Sequence, residues 1–255
     1  LSVLNHDTLE AIARVVLVTD PGTRGMAITF YDLSGMNARR FSPFGWRVRM
    51  ALAHKKLDTS VELIGFSDKA KLEFSGQNLV PVLVDGATVV ADSWEIARHL
   101  QATYPDPPSL FHGEAGEASA RFVAAYTDSQ LHPLVARCVV RDILEVIPEK
   151  EHAYFRANRE KRFGMTLEAI VANRDETRGQ LKKALYPVRT ILRDHAFLGG
   201  SSPNFSDYAV FGAFMWARSV SAFTLLDTDD PVHAWRECML DLFDAMPRAE
   251  AGFPV

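Results

Sequence analysis

The chain has 255 residues, 47% of them hydrophobic and 24% charged, which excludes a wholly disordered polypeptide and leaves enough length for two modest cores. Lys and Arg number 28 against 32 Asp and Glu, a formal net charge of -4, so the bulk charge points neither to nucleic acid nor to an anionic membrane surface. The two cysteines, Cys138 and Cys238, are too few and too far apart for a disulfide framework or a four-cysteine zinc site.

No apolar run approaches the roughly 20 residues of a spanning helix, and the first residues lack the basic stretch and long apolar run of a secretory signal. A soluble, cytoplasmic protein is therefore expected. Residues 1–25, "LSVLNHDTLEAIARVVLVTDPGTRG", precede Met26 and are read as an N-terminal extension. The alternative is a short amphipathic helix through Leu9 to Val18 that docks on the fold.

From Met26 the pattern alternates. "ITFYDL" is strand-like, Pro43 to Lys55 helix-like and "SVELIGF" strand-like, followed by an irregular stretch to Asn78. "VPVLVD" and "TVVAD" are two short strands around Asp85-Gly86, a dipeptide suited to a tight hairpin turn. "DSWEIARHLQATY" then predicts a helix with Ala97, Leu100 and Tyr104 on one face, and Asp92 and Glu95 spaced as in a capping box. The prolines of "YPDPP" stop it, placing a boundary between Tyr104 and about Glu114.

Everything beyond reads as helical. Ala118 to Ile147 is predicted as a long helix kinked or divided by Pro133. One or two more helices are expected from Glu151 up to Gly199-Gly200, natural terminators. Asn204, three residues before Asp207, is placed to cap an almost wholly apolar helix, which belongs at the centre of a bundle. A last helix is predicted across His233 to Met246. The fold class is thus α/β plus all-α: an extension at 1–25, a thioredoxin-like domain at 26–104, a linker at 105–113 and a helical domain at 114–255.

Several chemistries lack their anchor. There is no H-E-x-x-H, no G-x-x-x-x-G-K-[ST], no strand-associated G-x-G-x-x-G and no G-x-S-x-G. Ser42 followed by Pro43 reads locally as an N-cap with proline in the first helical position. Pro81 reads as a strand-start proline, and Asp92 and Ser93 as caps.

Taken together, "YDL…SPFGWRVRMALAHK", "VPVLVD", "DSWEIARHL" and "NFSDYAVF" resemble the glutathione transferase superfamily over nearly all of the chain after Met26. The serine before Pro-Phe, Trp46, "DSW" and "YFRANREKRFGMTLE" are most similar to the bacterial β-etherases and related fungal serine-type transferases. The resemblance implies glutathione as co-substrate, a homodimer, and no metal. It also implies a catalytic Ser42 that donates a hydrogen bond to the glutathione thiolate, because a serine hydroxyl is a poor base at neutral pH.

It further implies a cis Val80-Pro81 bond, with the Val80 backbone pairing to the cysteinyl part of glutathione, and places the glutamyl end at Asp92 and Ser93, where a helix N-terminus favours a carboxylate. One departure stands out: "GQNLVP" lacks the basic residue such proteins often carry before Val-Pro. Gln77 or Asn78 can hydrogen-bond glutathione, while Leu79 supplies no charge. The glycyl carboxylate then falls to Arg39, Arg40 or Lys69, unless these are solvated surface. For an aromatic second substrate, Phe44, Trp46, Tyr126, Phe211, Met215 and Trp216 are cleft candidates, against the simpler reading that aromatics at helical spacing are core. The expected activity is attack of the thiolate on an apolar or aromatic electrophile, including cleavage of lignin-derived β-aryl ethers. The alternatives are detoxifying conjugation or dehalogenation, or a non-catalytic glutathione-binding interaction protein.

Overall fold

Alternate residues of the first strand, β1 (Ile28–Leu33), are buried in the computed structural model, which describes residues 28–254. The 1–25 extension and its alternative helix therefore lie outside the described residues. β1 pairs in parallel with β2 (Thr59–Ile64) and antiparallel with β3 (Val82–Asp85), which turns through Asp85-Gly86 into antiparallel β4 (Thr88–Ala91). The order is β2-β1-β3-β4, and Gly86 takes the left-handed φ of 62° that the tight turn needs. Helix α1 (Pro43–His54) makes the crossover between β1 and β2, and α2 (Ser93–Thr103) follows β4 and packs on α1. This is the thioredoxin-like arrangement expected from the element order.

The rest is helical, with three differences from the sequence reading. The long helix expected to be kinked or divided by Pro133 divides just before it, into α3 (Glu114–Tyr126), a wide π turn over Thr127–Leu131, and α4 (His132–Val139). Pro133 thereby sits in the first turn of α4, where its missing amide hydrogen costs no helical bond. The one or two helices expected next are four: α5 (Glu149–Phe163), α6 (Leu167–Val171), α7 (Arg174–Ala184) and α8 (Tyr186–Leu192). Gly164, at φ 70°, ends the first, and Thr166 caps the second by accepting from the Ala169 amide at 3.2 Å.

The third difference follows α9 (Phe205–Val220). The last predicted helix is in fact α10 (Pro231–Leu240) and α11 (Leu242–Ala249), and α11 opens with a left-handed turn in which Phe243, Asp244 and Ala245 have φ of 55°, 56° and 58°. No glycine or asparagine marks it.

α9 is the predicted central helix. Asn204 caps it, accepting from the Ser206 amide at 2.8 Å, and Asp207 closes the capping box by accepting from the Asn204 amide at 3.1 Å. The buried Asp207 also accepts from the amides of Leu198 and Gly199 and from the Trp235 indole, at 2.7, 2.9 and 2.9 Å. One hydrophobic core runs through both halves, joining Phe30, Trp46 and Leu100 to Val139, Phe211 and Trp235. Its seam is α1 against α9. The approach is close enough that a Cβ on Gly212 would stand 2.4 Å from the Pro43 carbonyl oxygen.

Candidate functional site

Strand register brings the expected site residues to one end of the sheet. Val82 pairs with Tyr31 on one side and Ala91 on the other. Val80-Pro81, just before β3, and Asp92-Ser93, just after β4, therefore lie at the end where β1 finishes and the chain turns toward Ser42. The N-termini of α1 and α2 open at that same end, and both favour negative charge.

Ser42 is buried and caps α1: its Oγ accepts from the Gly45 amide at 3.0 Å. Among the described residues its own proton has no acceptor, which leaves the hydroxyl able to donate at the first turn of the helix. The turn rests directly on Asp32. A Cβ on Gly45 would lie 1.9 Å from Asp32 Oδ1 and 3.1 Å from Ser42 Cβ, so the closeness of carboxylate and turn requires glycine at this position.

Asp32 itself was not foreseen as part of the site. It is buried on the core face of β1, and its Oδ1 has no hydrogen-bond partner among the described residues. Burial raises its pKa to about 6, against the opposing pull of Arg49 and Arg40. A signal existed in the sequence: Asp32 has the same parity as Ile28 and Phe30, so alternation places a carboxyl on the core face. Arg49 is likewise buried, which lowers its pKa to about 10.

The Val80-Pro81 bond is cis, as the resemblance implied. A second cis bond, Pro107-Pro108 in the connector after α2, had no forewarning. Asp92 caps α2, with Oδ1 accepting from the amides of Trp94 and Glu95 at 2.8 and 3.3 Å, and adopts φ 75° to do so. Ser93 beside it is buried. Gln77 holds a buried Nε2 with no partner among the described residues, while Asn78 is exposed.

The basic candidates are otherwise engaged. Arg39 donates to the Ser219 carbonyl at 2.9 Å, Arg40 pairs with Glu250 at 2.9 Å, and Lys69 donates to the Tyr154 hydroxyl at 2.6 Å. Of the aromatic and Met candidates, Trp46, Phe211 and Met215 are core residues, and the Tyr126 hydroxyl is spent on the Ala184 carbonyl. Phe44 and Trp216 are half-buried and flank His132, at ring separations of 5.2 and 6.1 Å.

An open cavity of about 430 Å³ lies elsewhere, lined by Asp142, Arg174, Arg178, Ser221 and Phe223 among others, and none of the expected site residues borders it. Among the described residues no cluster of three or more His, Cys, Asp or Glu is placed to hold a metal ion, and no helix is long and apolar enough to cross a membrane. Cys138 is buried and Cys238 exposed, and both are free.

Known proteins match in both halves. A family model described as "Glutathione S-transferase, N-terminal domain" matches residues 41–103, and one described as "Glutathione S-transferase, C-terminal domain" matches residues 118–228. A "Probable maleylacetoacetate isomerase" of Caenorhabditis elegans is 35% identical over 97 residues, covering 36% of this chain and 45% of the relative. "Glutathione S-transferase Z1" of Arabidopsis thaliana is 32% identical over 135 residues, covering 50% and 60%. The chain thus spans about half the length of these curated relatives.

Among solved structures, glutathione transferase GSTFuA3 from Phanerochaete chrysosporium superposes with a TM-score of 0.76 at 24% identity, over 86% of this chain and 97% of that one. CsGST63524 of Ceriporiopsis subvermispora, solved in complex with glutathione, gives 0.71 at 21% identity, over 86% and 97%. At these identities the likeness is one of fold.

Proposed function

The chain belongs to the glutathione transferase superfamily, and from that premise we propose that it is a glutathione-dependent transferase in which the Ser42 hydroxyl stabilises the thiolate. The observation that carries this reading is the Ser42 cap: its oxygen accepts from Gly45, while its proton has no acceptor among the described residues and can donate at a helix N-terminus. A hydrogen bond to a charged group contributes about 1.5–3 kcal/mol and a helix N-terminus about 0.3–1 more. At about 1.36 kcal/mol per pKa unit, these lower a thiol pKa of about 8.5 by one to two units. A large thiolate fraction at neutral pH follows.

In this reading residues 26–104 form the glutathione-binding domain and 114–255 the helical partner domain. The Val80 backbone aligns the cysteinyl part of the tripeptide, and Asp92 and Ser93 at the start of α2 hold its glutamyl end. Gln77, whose Nε2 has no partner among the described residues, contributes a donor, with Asn78 beside it. The same reading carries a homodimer and a cytoplasmic location.

The second substrate is an aromatic or apolar electrophile, and a lignin-derived β-aryl ether is the specific proposal. The thiolate sulfur attacks the carbon bearing the ether oxygen, a C–S bond forms as the C–O bond breaks, and the departing phenolate takes up a proton. The test is product analysis with glutathione and a racemic β-aryl ether, beside a chlorinated aromatic. Release of phenol with one equivalent of glutathione thioether supports etherase chemistry. Inertness of both ether enantiomers with turnover of the chloroarene leaves conjugation or dehalogenation, and glutathione binding without turnover of any electrophile overturns the enzymatic reading.

The similarity to a relative named maleylacetoacetate isomerase favours one further assay. With maleylacetoacetate, isomer formed without net consumption of glutathione would mark a reaction in which the thiolate adds and leaves again.

A further inference from the structure

Two residues ahead of Ser42, the chain is tied to a segment 210 positions further on: Arg40 donates to Glu250 Oε1 at 2.9 Å. The same oxygen receives Arg49 from α1. Arg49 in turn stacks on the Trp46 ring, its guanidinium carbon 4.0 Å from the centroid, and the Trp46 indole donates to the Arg40 carbonyl at 3.2 Å. Arg40, Glu250, Arg49 and Trp46 thus close a ring of contacts around the turn that holds Ser42 and Gly45.

The segment bearing Glu250 is itself laced down. Arg218 donates to the carbonyls of Glu250 and Arg248 at 2.9 and 3.1 Å, the Phe253 amide returns to the Arg218 carbonyl at 2.8 Å, and Arg39 lies over the Phe253 ring at 5.4 Å. Its connector is strained, since three successive residues without a glycine, Phe243 to Ala245, are left-handed. Such a conformation is unfavourable for L-residues and persists only where surrounding contacts over-determine it.

Two buried atoms in the cluster have no hydrogen-bond partner among the described residues: Asp32 Oδ1, against Gly45, and Arg49 Nη1. An orphan acceptor and an orphan donor of opposite charge stay separate while Arg49 is held by Glu250. The charged groups acting on Asp32 are Arg49, Arg40 and Glu250. Without Glu250, Arg49 is free to turn to Asp32 and Arg40 loses its anchor, and both changes act on the backbone around Ser42.

We propose that Glu250 is a positioning residue for the Ser42 turn, acting through Arg40 and Arg49, so that the thiolate-stabilising geometry is complete only while the segment around residues 250–253 is docked. This rests on the assignment of Ser42 above.

The test is a titration of enzyme-bound glutathione by its thiolate absorbance in the wild-type protein, Glu250→Ala and Glu250→Asp, with glutathione affinity and thermal melting measured alongside. Glu250→Ala is expected to raise the ionisation midpoint by about one pH unit and to cut the neutral-pH thiolate fraction and turnover by up to roughly tenfold. Glutathione affinity stays within about threefold of wild type, and Glu250→Asp, which keeps the charge, recovers most of the midpoint. A folded Glu250→Ala protein whose midpoint coincides with wild type overturns the proposal even if its stability falls. Should that variant fail to fold, Glu250→Gln keeps the shape and drops the charge, and an unchanged midpoint there is equally decisive. A wild-type protein with no thiolate signal overturns the Ser42 assignment together with this one.

Discussion

Asp32 and Ser42 meet across Gly45, and their chemistries separate cleanly by experiment. Replacing Ser42 by alanine removes the proposed donor but not the contacts proposed for glutathione at Val80, Asp92 and Ser93, so turnover is expected to fall by about 10- to 100-fold, the equivalent of a charged hydrogen bond of roughly 1.5–3 kcal/mol. Glutathione affinity measured by calorimetry stays near wild type. For Asp32 the prediction concerns stability. Its pKa rises on folding from 3.8 to about 6, chiefly through burial, so between those values the unfolded chain has lost a proton that the native state keeps. Stability from this group therefore falls as pH rises through about 4 to 6, and the penalty is complete above 6. Asp32→Asn abolishes that titration. Its melting temperature relative to wild type should climb between pH 4 and 6 and then level off, and a constant offset across that range would refute the assignment.

Among the elements, α9 shows how a local signal grows into a tertiary device. Asn204 and Asp207 were legible as a cap from their spacing, yet four donors converge on Asp207, two of them from Leu198 and Gly199 and one from Trp235. Asn204→Ala should cost about 1 kcal/mol, the usual value of a cap. Asp207→Ala strands all four donors and should cost at least about 3 kcal/mol in urea denaturation; equal losses for the two variants would contradict this difference. The hairpin at Asp85-Gly86 and the start of α1 were equally legible, because turn and cap chemistry are local. The breaks among α5 to α8 were missed although Gly164 and Thr166 mark the first of them locally, because the solvated charged faces run on across it without a change of pattern. The left-handed turn in α11 was invisible for a different reason: it has no glycine, and of its three residues only Asp244 is of a type that adopts that conformation at all readily.

At the scale of the whole molecule, the site depends on the seam between its two halves. Pro43 and the turn it opens lie against Gly212 of α9, Arg47 of α1 pairs with Asp128 ahead of α4 at 2.6 Å, and the buried His54 and Tyr208 are hydrogen-bonded across the same seam. With a shared core, the two halves should unfold in one calorimetric transition, and two resolved transitions would contradict it. Gly212→Val inserts side-chain atoms where only a hydrogen fits. It is expected to lower the melting temperature by several degrees, from a cost of about 1–3 kcal/mol, and to reduce turnover as well, because the displaced carbonyl belongs to Pro43, next to Ser42.

The amino-acid sequence by itself determined the strand and helix alternation, the hairpin, the caps of α1, α2 and α9, and the candidacy of Ser42, Val80, Asp92 and Ser93. The elements and caps follow from periodicity and short-range hydrogen bonding; the candidacy follows from the family resemblance, since locally these residues read only as caps and a strand start. The tertiary structure alone decided that the three stretches share one sheet end, that Asp32 lies beneath Gly45, that Arg40 is held by Glu250 rather than free, and that Trp46 and Phe211 are core rather than cleft. Contacts between residues as far apart as 40 and 250 leave no local trace, because what selects them is the packing of one buried seam and the pairing of charges that burial forces together.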